Sequence, residues 1–86
     1  MVSIEADLTA WFGPTAARTL TTAVQRAAAH RIHRMIADTA GDAVATMWMV
    51  GMNPHLGDRS PLDVIADGRA RDAEAAARGY LNGVPT

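Results

Sequence analysis

Cysteine and lysine are both missing from this chain, and aromatic residues are scarce: two Trp, one Tyr and one Phe among 86 positions. Without cysteine there is no disulfide framework, no thiolate nucleophile and no metal site built on sulfur. The eight basic residues are all arginine and stand against nine acids, for a formal net charge of −1. A strongly nucleic-acid-binding domain is expected to be basic, with a pI above roughly 9, so the balance argues against that class. The arginine bias, with so much alanine, reads as a coding preference rather than a physical signal. No apolar run approaches the ~20 residues of a membrane-spanning helix. The opening "MVSIEADLTA" has acids where a secretory leader carries bases, and the chain reads as a soluble cytoplasmic protein.

Apolar residues make up 49% of the chain, mostly Ala, Leu, Val, Ile and Met. At this length one domain is expected, burying only about 60% of its unfolded surface. Such a core seldom leaves more than roughly 3–5 kcal/mol of stability. Burial against a partner or a second copy would help, so a homo-oligomer is expected.

No segment alternates with period two, and the apolar residues recur at helical spacing. Ser3 reads as the N-cap of a first helix with Ile4, Leu8, Trp11 and Phe12 on one stripe and acids in its first turn. "GP" at 13–14 breaks it, and Pro14 is placed to open a long second helix to about Thr39. Leu20, Val24, Ala28, Ile32, Met35 and Ile36 would form its apolar side. Arg26, His30, His33 and Arg34 would form a mostly solvated face, with Arg31 beside them. Gly41 reads as a stop and Asp42 as the cap of a third helix, "AVATMWMV". Val44, Met47, Trp48 and Met49 nearly encircle that helix, which predicts burial on most sides. After Gly51 comes a loop in which Asn53 precedes Pro54 and must be extended or in a turn. Ser60, Pro61 and Asp63 then spell a helix start close to a capping box. Gly68 closes that short helix, and a last one follows with Ala73, Ala76, Ala77, Tyr80 and Leu81 on its apolar side, ended by Gly83 and Pro85. The fold expected is all-α: a small bundle of about five helices, with a Pro/Gly-rich loop before two short C-terminal helices.

From residue 41 onward the order of Gly41, Asp42, Ala45, Trp48, Asn53, Pro54, Leu56, Gly57, Pro61, Leu62 and Gly68 resembles the toxin-binding domain of the MbcA/ParS/Xre-like antitoxins. The resemblance covers a little over half the chain. It implies a division into a helical segment at 1–40, serving dimerisation or left over from a DNA-binding part, and a toxin-binding domain at 41–86. It also implies a partner: a RES-type toxin, an enzyme that degrades NAD, whose active-site entrance the antitoxin covers. Two departures stand out. About 40 residues precede the motif, fewer than a helix-turn-helix domain and linker normally take. Asp58 also replaces the second glycine of the family's "LGG".

On this reading the partner-binding residues are Asn53, Pro54, His55, Arg59, Arg78, Tyr80, Leu81 and Gly83. Tyr80, Leu81 and Gly83 lie nearest the blocked cleft and Arg59 lies at its rim, since arginine often meets carboxylate or phosphate. The plainer alternatives are a solvated loop, a turn set by Asn53 and Pro54, an Arg78 paired with acids of its own helix, and a chain end covered by its own core. Trp48 reads as core, with interface anchor as the other option. Arg26, His30 and Arg34 suggest a second function, a small DNA-binding regulator of phage or prophage origin. A stand-alone helical interaction module is the third. His30 and His33 lack a carboxylate to complete a metal site. Asp63 and Ser60 are explained as cap residues, and no phosphate loop is present. Neither an enzyme nor a cofactor is expected.

Overall fold

In the computed structural model, which describes residues 3–83, the chain is five α-helices and one short 3₁₀ turn. They are α1 (Ile4–Arg18), α2 (Ala23–Ala40), α3 (Asp42–Val50), the turn Pro54–Leu56, α4 (Pro61–Ala66) and α5 (Ala70–Leu81). The expected all-α bundle is therefore present. α2 is the axis, packing against α3, α5, α1 and α4 in turn. Ile32, Ile36 and Ala29 on α2 are fully buried, with Met49 from α3, Val64 and Ile65 from α4, and Ala73 and Ala77 from α5. Alanine on α2 and α5 lets those helices approach closely, and the branched side chains of α4 fill the space beneath them.

The start signals act as read. The Ser3 hydroxyl accepts from the Ala6 N–H at 3.2 Å, and the Ser60 hydroxyl accepts from the Asp63 N–H at 3.0 Å. Pro61 stands in the first turn of α4 and is buried. The stop at Gly68 is a full Schellman arrangement: Gly68 N–H donates to the Ile65 carbonyl and Arg69 N–H to the Val64 carbonyl. Its φ of 85° suits glycine, which lacks the Cβ that penalises this region.

Four expectations are corrected. Gly13 breaks the helical path as read, at φ 83° and ψ 159°, so that α1 is two helical segments joined across a kink, and Pro14 opens the second. That segment, however, ends at Arg18 instead of running on to Thr39. The long second helix therefore does not exist. α2 begins at Ala23, where the Thr22 hydroxyl accepts from Gln25 N–H at 3.1 Å and Gln25 Oε1 accepts from Thr21 N–H at 2.8 Å. The Thr-x-x-Gln spacing of Thr22 and Gln25 is a capping-box signal for a separate helix start after the Pro14 segment. Leu20, in the link, is buried by the bend, whereas Val24 is 77% exposed. Asp42 does not cap α3; Gly41 takes the cap position and Asp42 lies in the first turn. α3 is also not buried on most sides, because α5 lies against α2 and leaves one flank of α3 uncovered: Met47 is 71% and Val50 50% exposed. Finally, His33 belongs to no solvated face. It is fully buried, its ring stacked on Trp11 at 3.6 Å and 10°. The stop signal read at Pro85 lies outside the described residues.

Candidate functional site

The segment 53–60 is a closed elbow. Asn53 and Arg59 form an antiparallel bridge, with Asn53 N–H donating to the Arg59 carbonyl at 3.2 Å. The Asn53 carbonyl accepts from both Leu56 N–H (2.9 Å) and Asp58 N–H (3.0 Å). Its side-chain Oδ1 accepts from His55 N–H at 2.9 Å. Asn53 is 3% exposed, so its polar atoms serve the loop. Pro54 opens the 3₁₀ turn, and Leu56 drops into the core. Gly57 and Asp58 follow at φ 66° and 64°. Asp58 thus holds the left-handed backbone that suits the glycine of the "LGG" pattern, one of the few conformations of this kind that aspartate tolerates.

Arg59 straps the elbow to the end of α4, its guanidinium donating to the Asp67 carboxylate. That hydrogen bond holds the Asp67 carboxyl below the ordinary carboxylate range and raises the arginine. The 3₁₀ turn of the elbow packs against α5. An open groove of about 550 Å³ lies elsewhere, along the α1 kink, lined by Leu8, Pro14, Ala17 and Leu20. The one beside the elbow, about 460 Å³, is walled by His55 and Leu56 on one side and by Arg69, Asp72, Ala75, Ala76 and Gly79 on the other. Its α5 wall is built mostly of small residues, so a partner's backbone could approach it closely. Farther along α5, Tyr80 and Leu81 are partly buried against the core, with the Tyr80 ring 6.1 Å from that of Trp48. Trp48 itself is partly buried, and its indole N–H has no hydrogen-bond partner among the described residues. Gly83 is exposed.

Of the eight residues read as partner-binding, Pro54 and His55 are exposed on the elbow, with Arg59 partly covered. Tyr80, Leu81 and Gly83 cluster at the end of α5. Arg78 is exposed but donates to Glu74 at 2.9 Å. Glu74 also accepts from Arg31 of α2 at 3.0 Å. The hydrogen bond from Arg31 is the main reason that the Glu74 carboxyl lies below its usual range, despite partial burial. The pair clamps α5 to α2.

The basic residues of α2 are occupied by the chain's own acids. Arg26 pairs with Glu5 at 3.3 Å and His30 with Asp7 at 2.8 Å, both reaching α1. Arg31 and Arg34 are exposed, the first bound to Glu74 of α5 and the second 3.7 Å from Asp38 along its own helix. His33 accepts or donates one hydrogen bond, to the Thr46 hydroxyl at 3.0 Å, and its Nδ1 is buried without a partner among the described residues. Burial pushes its imidazole below 6.5, with Asp42 opposing and His30 and Arg34 acting in the same direction. Among the described residues no three His, Asp or Glu side chains converge as a metal site, and no helix is long and apolar enough to cross a membrane.

One feature was not foreseen from the sequence. Val44 (38% exposed), Met47 (71%), Val50 (50%) and Met52 (82%) form an uncovered apolar stripe along α3 and just beyond it. The signal that points to it is the charge gap: residues 43–57 contain no Asp, Glu or Arg. Comparison of the chain with protein-family models, curated proteins and solved structures finds no match.

Proposed function

We propose that the protein is a helical protein-binding module acting as an antitoxin-like inhibitor, which sterically blocks a partner enzyme of the RES type. The observation that carries this reading is the elbow. Nearly every residue of the antitoxin-like pattern serves the backbone or the core. Asn53 pins the loop, Leu56 and Leu62 are buried, Pro61 starts α4 and Gly68 ends it. A motif devoted to holding geometry leaves recognition to its neighbours, namely His55, the small-residue flank of α5, and the Tyr80–Leu81 end. A preformed surface of this kind loses little conformational entropy on binding, which favours inhibition by occlusion. The mechanism needs no cofactor.

The regulator reading of Arg26, His30 and Arg34 draws no support from the geometry, since Glu5 and Asp7 engage the first two. Co-expression with the product of the adjacent gene tests the inhibitor reading. The complex should co-purify, and the partner's NAD-consuming activity should be suppressed. Ala75→Arg, on an exposed groove position, should break the complex while leaving the helical circular dichroism unchanged. If nothing co-purifies, or if Ala75→Arg and Tyr80→Ala both inhibit as well as the parent, the occluding face is wrong.

A further inference from the structure

We infer that the outer face of α3 is a self-association surface, on which α3 packs antiparallel against α3 of a second copy around a two-fold axis near Met47. The inference rests on the α3 stripe and is independent of the inhibitor reading, which uses the elbow and α5. Val44, Met47 and Val50 recur every three residues, so they share one face of the helix. A large exposed apolar stripe on so small a domain marks an interface.

Charge decides which partner fits. In a two-fold contact the same patch meets itself, so any charge near the axis faces its own copy and is repelled. The other exposed helix faces carry charge: Arg31, Arg34 and Asp38 on α2, and Arg71, Asp72 and Arg78 on α5. The stretch 43–57 has none, which is the pattern of a homodimer core, depleted in charge and rich in methionine. An antiparallel pair centred on Met47 sets Val44 against Val50 of the second copy. The exposed Ala40 and Ala43 are small enough for the backbones to draw close.

Size sets the strength. A stable interface takes about 800 Å² from each partner, and the described surface totals 5008 Å². A helix of nine residues is only about 13–14 Å long, so the stripe supplies the centre of a small interface. The dimer should dissociate on the order of micromolar.

Sedimentation of the full chain from about 0.1 to about 100 μM, which brackets that value, tests this. The mass should rise from 9.1 kDa toward twice that value. Met47→Glu and Met47→Arg should each remain monomeric with unchanged circular dichroism, and mixing the two should restore association through opposite charges across the axis. Ala75→Arg should dimerise like the parent. A parent chain that stays monomeric throughout, a Met47→Glu chain that associates as the parent does, or a mixture that remains monomeric overturns the inference. In the first case the stripe is left for a different protein.

Discussion

His33 is the residue whose surroundings differ most from its sequence neighbourhood. It sits among arginines and another histidine, yet its ring lies on Trp11, edge-on to Phe12, with no exposed surface. A buried imidazole with one unpaired nitrogen is held neutral, because protonation would put a charge and an unmatched donor into an apolar site. The unfolded chain has no such restriction and takes up a proton near 6.5. Between His33's lowered folded value and 6.5 the unfolded state therefore binds more protons, so stability rises with pH through that window and is lost as pH falls. Asp7, His30, Arg34 and Asp42 also act on the site, and His30 bonds Asp7 directly, so the isolated contribution must come from a variant. The melting temperature of the parent should fall from pH 7.5 to pH 5, and His33→Phe, which keeps the stack on Trp11, should flatten that slope. An equal slope in both proteins would place the acid sensitivity elsewhere.

Among the elements, the elbow is the part whose geometry is most strictly specified by residue type. Two consecutive residues with positive φ, Gly57 and Asp58, reverse the chain within a bridge closed by Asn53 and Arg59. The left-handed region costs an ordinary L-residue roughly 1–2 kcal/mol, and aspartate somewhat less. Asp58→Gly should therefore leave stability unchanged or raise it by up to about 1 kcal/mol, and Asp58→Val should lower it by about 1–2 kcal/mol. Urea midpoints would show this ordering, and a stabilising Val would contradict the assigned backbone. The elbow was readable in advance because proline, glycine and Ser-Pro signals are local. The α1–α2 link was misread because the Gly13-Pro14 pair is the louder signal, while the Thr22–Gln25 cap that starts α2 is equally local but quieter.

At the scale of the whole molecule, core and surface divide in a way that composition does not reveal. Ile32 is fully buried and touches the centre of the bundle, whereas Met52, just as apolar, is 82% exposed. Ile32→Ala should destabilise the fold by about 2–5 kcal/mol, which is most of what a domain this small can spare. Met52→Ser should change stability by no more than about 0.5 kcal/mol while improving solubility. Chemical denaturation of the two variants separates a core role from a surface role. A large loss for Met52→Ser would mean that the stripe is covered by the chain itself.

What local order alone settled was the helical class, the caps at Ser3 and Ser60, the stop at Gly68 and the turn at Asn53–Pro54. Each depends on residues within about five positions of one another, where backbone hydrogen bonding and φ preferences act. Which apolar residues would be covered was decided only when the helices met. α5 packs on α2 and leaves a flank of α3 bare, and α1 folds across α2 to engulf His33 and bring its acids onto Arg26 and His30. Those outcomes come from contacts between residues far apart in the chain, and no periodicity within one helix says which of its faces a distant neighbour will claim.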